Sequence, residues 1–231
     1  MTTKKQIRGL FQAVVERHPD LTIIKAEYGD KIVLRPINHL IRGFYILRSA
    51  YADYPDHFWS IGYTFYPRGS SQGGVCGTQF VTPNIKEIYW SHPRHQDAVI
   101  EVFEAEILPV LRSVDTIGKM LSLRHPMEVR WNDLLASPLH KLRLHAALGD
   151  FRTAAEAILE MKAKGPHYLP AWSEESFRES TEQLWPLIEA EDRAGTAALL
   201  HRWEEEFIIR NGLESIYERT PFPLEEEPGS A

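Results

Sequence analysis

Along the first twenty residues, apolar side chains recur at Ile7, Leu10, Phe11, Val14 and Val15. That spacing returns to one face every three to four positions and predicts an amphipathic helix packed through one side. The period then changes. In "LTIIKAEYGDKIVLRPI" the residues Ile23, Ile24, Ile32, Val33 and Leu34 flank Tyr28-Gly29-Asp30, which predicts two strands around a tight turn. "HLIRGFYILRS" reads as a third strand and "HFWSIGYTFYP" as a fourth. In the fourth, Trp59, Ile61, Tyr63 and Phe65 alternate with Ser60, Gly62 and Thr64, the pattern of an antiparallel sheet with one covered face. "VCGTQFV" and "IKEIYW" are candidates for one or two further short strands.

At Ser91 the pattern turns helical, with Ser91 as N-cap, Pro93 in the first turn, and Val99, Val102, Phe103, Ile107 and Val110 near helical spacing. Pro109 is expected to kink or end this helix, because it has no N–H and its ring meets the preceding turn. "DTIGKMLSL" predicts a short helix capped by Asp115. Beyond His125-Pro126 every signal is helical. "LASPLHKLRLHAALGD" closes at Gly149, Asp150 caps "FRTAAEAILEMKAKG", and "SEESFRESTEQLWPLIEAEDRAG" and "TAALLHRWEEEFIIRNG" form a further pair, each closing with Gly. The expected fold class is α+β: an N-terminal helix and antiparallel sheet packed by helices, followed by an all-helical C-terminal region. The expected domains are 1–126, α+β, and 127–219, helical. Residues 220–231, with three prolines and an acidic run, are expected to form a flexible tail.

Composition narrows the class. The 231 residues are 43% hydrophobic and 25% charged, ordinary for a soluble domain, and no apolar run approaches the ~20 residues that span a bilayer. No membrane association is expected. A single cysteine cannot form an internal disulfide, which fits a reducing, cytoplasmic setting. The net charge of −6 is uneven: residues 1–90 carry 11 Lys/Arg against 7 Asp/Glu, and residues 91–231 carry 15 against 25. An acidic second half argues against a nucleic-acid groove, which needs clustered cations. It serves either solubility or a surface offered to a basic protein partner, with the run Glu204, Glu205 and Glu206 as the candidate contact.

The candidate chemistry is sparse. The loop "RGSSQGGVCGTQF" is rich in glycine, but no Lys follows the glycines and the next residues read as extended, so it is not a phosphate-binding loop. Cys76 lies beside it with no basic neighbour in sequence to activate a thiolate. His92 and His95 are three apart, although Pro93 biases His92 away from helical geometry. His140 and His145 are five apart, and neither pair supplies the three or four ligands of a zinc site. No metal or cofactor is expected. Phe44, Tyr45, Tyr63 and Tyr66 beside Arg42 and Arg48 could stack bases on an open sheet; a core and rim role is the expectation, since the sheet-based RNA signature is missing.

The order of pieces resembles the bacterial family known as domain of unknown function 4304. The resemblance covers about residues 1–125 and rests on Gly62, Phe65, Tyr66 and Pro67 at the end of a strand, on Cys76 in the following loop, and on Pro109 in an apolar helix end before a short helix. Thr64 stands as one extra residue within the strand motif. The resemblance implies an α+β domain and a bacterial accessory protein, and it carries over no catalytic residue. The function expected from the whole is a non-enzymatic protein-binding module, of which an immunity or antitoxin-like role is one form. The alternative is a small hydrolase-type enzyme using Cys76, His92 or His95 between sheet and helices.

Overall fold

A computed structural model describes residues 3–26, 29–48, 53–67, 76–79, 82, 85–123, 137–164 and 174–226. The fold is α+β, with an N-terminal helix, a sheet, and then a helical C-terminal region. It comprises two compact units. The first takes residues 1–62, 75–123 and 213–218; the second takes 63–74, 124–212 and 219–231. Neither unit is a single stretch of chain.

In the first unit, α1 (Lys4–Arg17) opens with a capping box in which Thr3 and Gln6 satisfy each other's backbone N–H groups, and it buries Ile7, Leu10, Phe11 and Val14. Strands β1 (Leu21–Ala26), β2 (Gly29–Leu34), β3 (Leu40–Arg48), β4 (Pro55–Tyr63) and β5 (Cys76–Gln79) follow in sheet order 1-2-3-4-5. The register pairs Ile23 with Ile32 and Ile32 with Phe44, so one face gathers the aliphatic and aromatic core. Phe11 and Phe103 pack their rings on Phe44 at centroid distances of 5.4 and 5.3 Å. Residues 213–218 return to this unit, where Ile37 bridges Tyr217 and exchanges backbone hydrogen bonds with Ile216 and Glu218.

Several local expectations are corrected. β4 is alternately buried only in its first half; Trp59, Ser60, Ile61 and Gly62 are all buried, so the polar face expected to be open is covered there. "IKEI" forms a 3₁₀ turn, not a strand. Ser91 does not cap a helix: its N–H and hydroxyl both go to the Asp53 carboxylate, and α2 (His95–Val102) begins four residues later. Thr116, not Asp115, caps α4 (Ile117–Ser122), while Asp115 pairs with Lys119.

Pro109 does not end the helix, which continues to Ser113. Between α2 and α3 (Leu108–Ser113) the backbone widens to a π-helical stretch over Phe103–Ile107, and the Leu108 N–H bonds back to Phe103. The wider turn makes room for a ring with no N–H to give. The second unit repeats the device: α7 (Glu174–Glu179) passes through a π stretch, Ser180–Leu184, into α8 (Trp185–Glu189), with Pro186 as its second residue.

The second unit also holds α5 (Pro138–Ala147), α6 (Phe151–Lys164) and α9 (Arg193–Arg210). Gly149, at φ +76°, makes the left-handed turn that ends α5, and Asp150 caps α6 by accepting from the Thr153 N–H. Gly195 does not close a helix; it lies in the first turn of α9, where its N–H goes to the cap residue Asp192. The tail is corrected for its first residues. Phe222 and Leu224 are buried, Phe222 meets Phe65 edge-on at 5.1 Å, and the Leu224 carbonyl accepts from Arg193. Two apolar side chains in an otherwise acidic segment suffice to hold it; residues 227–231 lie outside the described residues. No helix among the described residues is long and apolar enough to cross a membrane.

Candidate functional site

The residues singled out by sequence go to different places. Cys76 opens β5 opposite Ile61, and its side chain lies outside the described residues. His92 sits in the turn before α2, where Nδ1 accepts from the Arg94 N–H at 3.2 Å. His95 is buried: its Nδ1 lies 2.8 Å from the Glu87 carbonyl, which fixes the proton on that nitrogen, and Trp90 packs 4.2 Å from its ring. His57 lies beside it, ring to ring at 5.5 Å. Burial pushes the His57 imidazole down to about 3, with the His95 ring adding to the effect, and burial lowers His95 as well. Both are neutral at physiological pH. Among the described residues no group of three or more His, Cys, Asp or Glu could hold a metal ion.

The aromatic and arginine set is interior. Phe44, Tyr63 and Tyr66 are buried, and Arg42 donates to the carbonyls of Leu111, Val114 and Pro36. The bonds to Leu111 and Val114 satisfy carbonyls at the C-terminal end of α3. Tyr45 alone of the four aromatics is half-exposed, stacked on Phe58.

Within the second unit two buried polar networks form that the sequence does not announce. In one, Arg143 is fully buried; it donates to Ser180 Oγ at 2.9 and 3.2 Å and to Tyr63 Oη at 3.4 Å, with the Tyr66 ring 4.4 Å from its guanidinium carbon. Tyr63 Oη lies 2.7 Å from His140 Nδ1. With Arg143 donating into the phenol oxygen, the phenol's own hydrogen points at His140. Burial, helped by the Arg143 charge, pushes His140 down to about 3, so it accepts as a neutral ring. In the other network, Glu204 is fully buried on α9 and accepts from Thr64 Oγ1 at 2.6 Å. His201 lies one turn earlier, 3.5 Å from Glu204 and 2.8 Å from Glu225, and the Glu204 contact leads in raising its pKa.

Glu204 is therefore corrected as a surface contact. Three consecutive helical residues fan through about 200°, and one of them has to face inward. Glu205 and Glu206 are exposed, and Glu205 pairs with Arg219 at 2.6 Å. The exposed face of α9 is continuous: Ala198, Arg202, Glu205 and Ile209 follow at steps of four, three and four, and Ile209 is 66% exposed. At its N-terminal end lies a groove of about 380 Å³ lined by Gln183, Leu187, Gly195, Ala198, Leu199 and Arg202. The turn entering the helix, Glu189 to Asp192, is exposed and carries three acids. The second unit holds 13 Lys/Arg against 18 Asp/Glu, and the first 13 against 14. The chain's acidity is concentrated in the helical unit.

The His201-x-x-Glu204 spacing puts the two side chains one turn apart but does not say that the pair faces inward. Tyr63 and His140 are 77 positions apart, and no sequence signal joins them. Comparison of the chain with protein-family models, curated proteins and solved structures finds no match.

Proposed function

We propose that the chain is a non-enzymatic binding protein whose helical unit engages a basic, amphipathic segment of a protein partner. The observation that carries this is the outer face of α9, where a groove lined by Leu187, Ala198 and Leu199 beside the Gln183–Arg202 pair, the exposed acids before it and the exposed Ile209 lie along one helix. A lone exposed isoleucine is ordinary. In register with a groove, on the acidic unit, it supplies an anchor and the charges supply steering. An immunity or antitoxin-like role is one form of this reading.

The interior placement of His95, with one nitrogen committed to a backbone carbonyl, favours a structural part for it and weakens the hydrolase alternative. Affinity capture tests the proposal. A basic protein retained at low salt should be lost with rising ionic strength and lost from Ile209→Glu. Capture indifferent to both would sink the reading.

A further inference from the structure

Among the asparagines of the chain, only Asn211 is followed by glycine. Asn211 is the half-buried C-cap of α9, and Gly212 follows it, exposed, at φ +63°. That left-handed turn suits a residue without a side chain, and a Cβ on Gly212 would have no atom within 4 Å. Two hydrogen bonds hold the cap. The Phe207 carbonyl accepts from Asn211 Nδ2 at 2.8 Å, and the Ile209 carbonyl accepts from the Gly212 N–H at 3.1 Å. The buried Ile208 and Leu213 bracket this turn, while Ile209, Arg210 and Gly212 between them are exposed. The cap can therefore open without withdrawing either buried side chain.

We infer that Asn211 is a modification site guarded by the C-cap of α9: its side-chain amide is held while the cap is closed and is lost through a succinimide when the cap opens. Opening frees the Gly212 N–H from Ile209 and Asn211 Nδ2 from Phe207, and it involves only the last turn of the helix, the end that frays first. Hydroxide then takes the Gly212 amide proton, and the nitrogen attacks Asn211 Cγ, four bonds away. The new C–N bond closes a five-membered ring. The Cγ–Nδ2 bond breaks, and the amide nitrogen takes a proton from water and leaves as ammonia. Glycine favours this step because no side chain crowds the attacking nitrogen or restricts its backbone. Water opens the ring at either carbonyl, leaving aspartate or, with one more carbon in the main chain, isoaspartate at position 211. Either product lacks the N–H that Phe207 accepts, and it sets a carboxylate against the negative end of the helix. The change is therefore self-reinforcing: once made, it keeps the end of α9 from closing as before.

The test is incubation of the intact protein, folded and in denaturant, at pH 7.5 and 8.5, followed by peptide mass spectrometry that separates aspartate from isoaspartate. Position 211 is expected to gain both products at a rate that rises with hydroxide, roughly ten- to a hundredfold more slowly in the folded protein than in the denatured one. Asn38, which precedes His39, should lag behind Asn211 in the denatured chain. Gly212→Ala should slow the reaction in denaturant, where folding plays no part and the added methyl group acts on the attacking nitrogen alone. Two results overturn the inference: equal rates at position 211 in the folded and denatured protein, or aspartate without isoaspartate, which would mean direct hydrolysis with no ring.

Discussion

Replacing Glu204 by Ala separates a buried carboxylate from its two exposed neighbours. The side chain is fully buried, accepts from Thr64 at 2.6 Å and stands 3.5 Å from His201. Truncation takes the Glu204 acceptor from the buried Thr64 hydroxyl and removes the carboxylate beside the His201 imidazole. Breaking one side of such a pair costs about 3–5 kcal/mol. For a unit of this size each kcal/mol moves the midpoint by roughly 4 °C, so thermal unfolding followed by circular dichroism should drop by about 10–20 °C. Glu205→Ala and Glu206→Ala, at exposed positions, should stay within about 0.5 kcal/mol of the parent. The gap between parent and Glu204→Ala also depends on pH. His201 has a raised folded pKa, so its contribution is complete below its unfolded value of ~6.5 and is lost as pH rises through the folded value. The gap should narrow as the pH rises above about 6.5. Equal melting of the Glu204 and Glu205 variants would refute the assignment of Glu204 to the interior.

Other expectations are tested by stability measurements. Phe222→Ala should cost about 3–5 kcal/mol in chemical denaturation, because the ring is fully buried against Phe65 and His201. A variant as stable as the parent would return the segment to a loose tail. His57, depressed to about 3, takes up a proton near 6.5 only when unfolded, so its contribution is present above pH 6.5 and falls as the pH drops below it. Between pH 6.5 and 5, above the carboxylate range, the parent should lose up to about 1.4 kcal/mol per pH unit from this group, and His57→Phe should flatten that slope.

The N-terminal helix, the strand pair β1–β2 and the helical second half were legible because each rests on local periodicity, although Gly29 and Asp30, expected in the turn, open β2 opposite Ala26 and Lys25. Ile7, Leu10, Phe11 and Val14 are buried as their spacing requires, and β2 to β4 lie where the strand runs do. What escaped depends on contacts distant in sequence. Ser91 had the chemistry of a cap, yet Asp53, 38 residues away, supplied a better partner for it. Pro109 reads as a helix end in any local rule, and a π turn absorbed it. Glu204 reads as one of three equivalent acids until Thr64, 140 positions earlier, fixes which one turns inward. Phe222 reads as tail until Phe65 is placed beside it.

The central claim, that the exposed face of α9 binds a basic amphipathic partner, is tested most directly by calorimetric titration of the captured partner into the parent and into Ile209→Glu, at low and at high salt. Ile209 is exposed, so the substitution leaves folding intact while placing a charge at the apolar anchor. The account predicts at least ~10-fold weaker binding by the variant, about 1.4 kcal/mol, and weaker binding by both proteins as salt rises. Dissociation constants that agree within about twofold between parent and variant, and across salt, would contradict it.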